Sequence, residues 1–232
     1  MPNLDAAAPS ARGSLSRERV LEVALALADR KGIDALTMRA LAKELGIEAM
    51  SLYHYVAGKN DLLDGLAEAV AMEVESAVAD QNPGSPREWK RTLRRRILTS
   101  REVMLRHRWA PGVFEGRASP SAAIVRYFDA SIALMRFGGL SYDLVHHALH
   151  ALGSRLLGFS QELFDPAGSA DEDASQGMPA QMVADAPHIV EMVANIAHDD
   201  GETTLGRCDD QAEFEFGLDL VLDGLERVAA GR

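Results

Sequence analysis

Two short helical runs separated by one glycine set the strongest constraint on this chain. Thr37 caps a run that ends at Leu45, and Gly46 stops it in the left-handed conformation that glycine tolerates. A second short run covers about Glu48 to Val56. Leu41 and Leu45 face inward on the first, Leu52 and Val56 on the second, and Ala42 is small where the two would cross. This is the helix-turn-helix pattern. The other positions of the second run, Glu48, Ala49, Met50, Ser51, Tyr53, His54 and Tyr55, are polar, aromatic or small. Such groups on a recognition helix reach base edges and phosphates. An ordinary helical hairpin shows the same pattern, so the context must decide.

That context reads as helix almost throughout. Short alternating β-branched runs closed by Asn-Gly-type turns are absent from the sequence. Ser16 caps a helix to about Lys31, with Val20, Ala24, Leu27 and Ala28 on its apolar face and Gly32 as its stop. Another helix runs from Lys59 to about Ala79. Ser85-Pro86-Arg87-Glu88 has the capping-box form and opens a helix to about His107, which Pro111-Gly112 interrupts. Ser119-Pro120 opens the next helix, ending at Gly138-Gly139, and Ser141 opens one that ends near Phe164. Residues 165–180 read as a mobile acidic loop. A helix at about 187–198 follows, then a loop. Asp210-Gln211-Ala212-Glu213 resembles a second capping box and opens a last helix to about Ala229. The expectation is an all-α chain: a disordered Ala/Pro/Ser-rich tail at 1–14, a three-helix helix-turn-helix domain at 15–62, and a helical ligand-binding and dimerisation domain at 63–232.

Two of these helices are unusually regular. Val145, Leu149, Leu152, Leu156, Phe159 and Leu163 alternate steps of four and three residues, as do Phe214, Leu218, Val221, Leu225 and Val228. A mean spacing near 3.5 suits helices packed as in four-helix bundles. Both stripes can face the chain's own core. Alternatively each subunit contributes two helices to an isologous dimer, with Val145, Leu149, Leu152, Leu156, Phe214, Leu218, Val221 and Leu225 as the interface.

The formal charge of −11 over 232 residues, taken as a whole, argues against a nucleic-acid partner. Its distribution removes the objection. Residues 12–60 hold eight bases against six acids, a net +2, whereas residues 61–232 carry −12. Such asymmetry suits two modules with different partners. Single Cys208 forms no internal disulfide and fits a reducing compartment. The N-terminal segment lacks the apolar core of a signal peptide, and no run reaches the roughly 20 apolar residues of a membrane span. A cytoplasmic protein is therefore expected. No nucleophile elbow, Walker loop, dinucleotide fingerprint or HExxH motif is present, so an enzyme is not expected.

The stretch from Leu36 to Leu63 closely resembles the DNA-binding domain of the tetracycline-repressor (TetR) family. Leu52-Tyr-His-Tyr-Val56, Gly58-Lys59 and Asp61-Leu-Leu63 carry the likeness, which extends over roughly Ser16 to Met72. Phe214-Glu-Phe-Gly-Leu-Asp-Leu-Val-Leu-Asp-Gly-Leu-Glu226 resembles the C-terminal half of the tetracycline-repressor subgroup. The resemblance implies a dimeric regulator, usually a repressor released from a palindromic operator by a small molecule. It places Thr37 and Arg39 where the second helix meets DNA, and Glu48, Ala49, Met50 and Ser51 at the start of the recognition helix. Tyr53 and His54 fall at the backbone, Tyr55 at the edge of the core, and Lys59 beside a phosphate at the next helix start.

The second domain should hold the effector. Met104, His107, Trp109, Val113, Phe114, Tyr127, Met135, His146, His147, His150 and Phe159 offer the aromatic, Met and His mix of an apolar pocket with polar anchors. The family's tetracycline-binding members use a histidine of the broken-helix region to hold magnesium. Aligned through Gly116, that position here is Phe114, although Glu162 matches a nearby carboxylate. An apolar or aromatic effector other than tetracycline–magnesium is expected, with no cofactor. Arg94, Arg95 and Arg96 read as a solvated basic run. An activator of the same fold, a DNA-independent helical adaptor and an enzyme built on a metal at His146, His147 and His150 are the competing readings.

Overall fold

The computed structural model describes residues 15–117, 119–159, 186–188, 191 and 210–231. The described residues contain helices and no strand. They form two compact units, one through Leu140 and one from Ser141.

In the first unit, α1 (Arg17–Lys31) opens where the Ser16 hydroxyl accepts the Arg19 backbone N–H at 3.2 Å. α2 (Met38–Leu45) opens the same way, Thr37 Oγ1 accepting from the Ala40 N–H at 3.1 Å. Gly46, at φ +68°, closes α2, and its turn bonds the Ile47 N–H to the Ala42 carbonyl at 3.0 Å. The segment expected as a third short α-helix is instead a six-residue 3₁₀ turn, Ala49–His54. Its N–H groups reach back three residues, Ser51 to Glu48 and Tyr55 to Leu52, both at 2.9 Å. A run this short gains little from α-type bonds, and no side chain caps it. Val20, Ala24, Leu27, Leu36, Leu41, Leu52, Val56, Leu62 and Leu66 form the buried core beneath these elements.

α3 (Lys59–Val78) gives Leu62 and Leu66 to that core, then Val70, Val74 and Val78 to the packing against later helices. The Ser85 capping box is present, with Glu88 Oε2 accepting from the Gly84 and Ser85 N–H groups at 2.7 and 3.1 Å. A 3₁₀ turn at Pro86–Glu88 leads into α4 (Trp89–Arg106). The interruption expected at Pro111-Gly112 falls earlier, at His107, which leaves helical geometry at φ −116°, ψ 61°. Pro111 and Gly112 lie inside the six-residue α5 (Ala110–Glu115). Pro111 occupies the first turn, where its missing N–H breaks no helical bond. α6 (Ala122–Phe137) is capped by Ser121 rather than opened by Ser119-Pro120. α3, α4 and α6 pack mutually.

In the second unit, Ser141 caps α7 (Tyr142–Leu152), which packs on α8 (Asp210–Ala229). The expected continuation of α7 to Phe164 stops at Gly153, whose φ of +47° disfavours any side chain. A 3₁₀ turn, Gly153–Leu157, follows. The expected loop at 165–180 and nearly all of the expected 187–198 helix lie outside the described residues, as do Glu162 and Leu163. Val145, Leu152, Leu156, Phe214, Leu218 and Leu225 are buried within the chain, and Leu222 joins them. Little of their surface is left exposed. Leu149 and Val221 are half-buried. The large apolar side chains that α8 leaves in water are Phe216, Leu220 and Val228.

Candidate nucleic-acid interface and effector region

α2 and the 3₁₀ turn hold one face outward over the buried core. Arg39, Glu48, Met50, Tyr53, His54 and Lys59 are exposed, Met50 by 75% and Tyr53 by 50%. A methionine this exposed fills no core gap and is free for apolar contact. Ala49, Ser51 and Tyr55 are half-buried, and Ala49 and Tyr55 pack against the core. The Thr37 oxygen serves as cap acceptor, which leaves its O–H free to donate outward.

The formal surplus of bases in this region undercounts the available cations. Arg19 pairs with Glu22 and Arg30 with Glu44, each at 2.7 Å. Arg17 holds Asp61 through two bonds of 2.8 and 2.7 Å and also donates to the Tyr55 carbonyl at 3.0 Å. Asp61 further accepts the Ala57 N–H at 2.8 Å. Arg17, followed by that N–H, holds the Asp61 carboxyl below its ordinary range. This cluster fixes the recognition turn to the start of α3. Arg39 and Lys59 make no ion pair with another described residue and remain exposed.

His107 forms a second fixed point. Its Nδ1 lies 2.8 Å from Asp29 Oδ1 on α1, and its Nε2 lies 3.0 Å from Glu73 Oε2 on α3. Trp109 Nε1 donates to Asp29 at 2.7 Å, and Arg106 pairs with Glu73. The His107 ring therefore bridges α1 and α3 across the α4–α5 corner. Burial pushes Glu73 up, but the bonds from Arg106 and His107 outweigh it and hold the carboxyl below its ordinary value.

The structure does not collect the eleven expected effector residues into one described cavity. Met104, Val113, Tyr127 and Met135 are buried, whereas Trp109 and Phe114 are half-buried. His146, His147 and His150 are exposed on α7, and Phe159 is half-buried in the second unit. Tyr127 receives the Ser100 hydroxyl at 3.0 Å, and burial pushes its phenol up to about 12. A cavity of about 230 Å³ beside Trp109 includes Asp29 and Arg106 in its walls. A larger groove of about 410 Å³ lies between α4, α6 and the α3–α4 turn, and none of the eleven lines it.

Arg96 borders that groove and corrects the reading of the basic run. Arg95 is exposed and Arg94 half-buried, but Arg96 is buried. Its register reveals the reason, because Arg96 follows Leu93 by three residues and precedes Ser100 by four on the buried stripe of α4. The His146/His150 pair sits on consecutive turns with ring centroids 4.6 Å apart. Among the described residues, no group of three or more His, Cys, Asp or Glu side chains is arranged to hold a metal.

A short helix, a glycine turn and an exposed second turn over a common core define a helix-turn-helix DNA-binding protein. Residues 20–66 match the family of bacterial regulatory proteins called tetR, and residues 82–229 match the tetracyclin repressor-like C-terminal domain. The chain belongs to the TetR family of regulators. It is 30% identical over 228 residues to the HTH-type transcriptional repressor DrrR1 of Streptomyces coeruleorubidus, covering 94% of this chain and 80% of that one. It is also 30% identical to the class D tetracycline repressor protein of Escherichia coli, covering 91% and 89%. A possible TetR family regulator of Streptomyces coelicolor A3(2) shares the fold at a TM-score of 0.70 and 29% identity, over 92% of this chain and all of that one. ActR of S. coelicolor, solved with actinorhodin, matches at 0.63 and 25%, over 93% and 97%. The chain is a ligand-responsive transcriptional repressor of this family, and its relatives are regulators rather than enzymes. Among the described residues, no helix is long and apolar enough to cross a membrane.

Proposed function

We propose that a dimer of this chain binds a palindromic operator and is released when a small molecule other than tetracycline–magnesium binds its regulatory part. The observation that carries the reading is the face of Arg39, Met50, Tyr53, His54 and Lys59, held in water by a fully buried core. Arg39 is suited to a guanine edge or phosphate, and Met50 and Ala49 to a thymine methyl. Thr37, Ser51, Tyr53 and His54 offer hydrogen bonds to the sugar-phosphate backbone, with Tyr55 supporting the turn from the core side. Glu48 has the chemistry to accept from cytosine. Lys59 would hold a phosphate together with the first N–H groups of α3.

Two copies present two such faces, and roughly 34–36 Å between recognition elements matches one DNA turn. Phe216 and Leu220, one helical turn apart and exposed on α8, are the side chains best placed for pairing the copies, with Leu149 and Val221 at the margin. Effector binding would act through α3, which belongs to the head core and packs on α4 and α6. Affinities for DNA and effector are then reciprocally coupled. Gel-shift of DNA upstream of the chain's own gene tests the reading. A saturable dimer complex supports it, and a folded dimer with no preference over unrelated DNA refutes it.

A further inference from the structure

Arg96 is a buried cation with no acid beside it. The residue is 7% exposed, and its one recorded hydrogen bond runs from Nη1 to the Val78 carbonyl at 3.1 Å. The guanidinium lies 5.6 Å from the Tyr127 ring centroid, and no carboxylate among the described residues pairs with it. Its Nε is buried without a hydrogen-bond partner. Burial lowers its proton affinity, yet a guanidinium keeps its charge in a protein. A buried guanidinium without a carboxylate is costly.

The surroundings show what that partner is. Among the described residues, Arg96 is the one charged side chain lining the 410 Å³ groove. Gln81, also in the lining, donates through Nε2 to Thr99 at 2.9 Å but leaves Oε1 buried and unpaired. The remaining lining is Asn82, Pro83 and, along α6, Ala130, Ala133, Leu134 and Phe137. The volume lies within the range of small-molecule sites. A cation set in a largely apolar lining describes a ligand with an anionic group and a hydrocarbon body.

We propose that this groove is the effector site and that the effector is a small aromatic carboxylate whose negative group pairs with Arg96. The ring lies against Ala133, Leu134 and Phe137. The proposal deepens the reading of the chain as an effector-released repressor and rests on it.

The test uses the full-length dimer with 3-hydroxy-2-naphthoate and its neutral isostere 3-hydroxy-2-naphthamide. Isothermal titration calorimetry should show the carboxylate binding at least about tenfold more tightly, as a charge-assisted bond in a desolvated site requires. Arg96→Met should bring the carboxylate down to the affinity of the amide while leaving the amide unchanged. Arg96→Lys should keep part of the preference, because the charge stays and the fork is lost. Equal affinities in the wild type, a preference that survives Arg96→Met, or no carboxylate binding up to about 1 mM overturns the proposal. The wild-type ratio decides even where Arg96→Met fails to fold. Gel-shift of the ligand-free wild type is run in parallel. Failure there strikes the repressor reading, whereas equal affinities strike only the anionic effector.

Discussion

The head and the body of this protein treat positive charge in opposite ways. On the head, Arg39 and Lys59 stand exposed and unpaired, which costs nothing because water solvates them. In the body, His107 lies between Asp29 and Glu73, and Arg96 is enclosed with no carboxylate paired to it among the described residues. Burial therefore decides whether a cation needs its partner in place. Exposed cations suit a polyanion met by many screened contacts, so operator binding should weaken steeply with salt. Enclosed cations suit one partner met in a dry site. His107 has its partners within the fold, and Arg96 awaits one from outside.

The largest effect separates the two kinds of cation outright. Arg39→Ala should lower operator affinity by about 10- to 100-fold, since a good base contact discriminates by that much. Fluorescence anisotropy checks it, with circular dichroism unchanged. Next comes His107→Ala, which removes the bridge between Asp29 and Glu73 and leaves Glu73 to Arg106 and Asp29 to Trp109. It should cost about 2 kcal/mol of stability in urea unfolding, within the range for breaking a buried pair. A neutral outcome would mean that the bridge does not contribute to stability.

Asp61→Asn is a smaller change at a partly exposed pair, about 1 kcal/mol once solvent screening is allowed for. Its sign with pH is fixed by direction. The folded carboxyl titrates below its unfolded value, so its stabilisation is complete above the ordinary aspartate value of about 3.9 and disappears as pH falls through the folded value. The variant should lose stability at neutral pH and show a shallower acid limb in thermal melts from pH 7 to 3. Met50→Ala is smallest, about threefold in operator affinity, and confined to operators carrying a thymine at the contacted step.

Legibility in the sequence followed the distance between partners. Ser16, Thr37, Gly46, Ser85 and Ser141 act within their own turn, so their caps could be read directly. The long-range bonds join Arg17 to Asp61, 44 residues apart, and His107 to Asp29, 78 apart. No local pattern carries them. His107 was legible as a polar residue near the regulatory corner, but not as a bridge to α1. Arg96 was hidden by its neighbours, because three consecutive arginines look like one solvated patch. On a helix they point in three directions, and the third joins the buried stripe. The spacing of the α7 and α8 stripe marks apolar contact, but it cannot tell an internal seam from an external one. Gly153, which ends α7, was read as part of the helix because a lone glycine does not by itself stop one.

The central claim is that the exposed face around Arg39 and Tyr53 reads DNA. Selection of bound sequences from random duplexes, followed by gel-shift of the wild type and of the Arg39→Ala/Tyr53→Ala double variant, tests it most directly. The account predicts an inverted repeat with half-sites about one helical turn apart, bound by the wild type and lost by a variant that stays folded and dimeric. No enriched sequence, or a double variant that binds the selected repeat as tightly as the wild type, would contradict it.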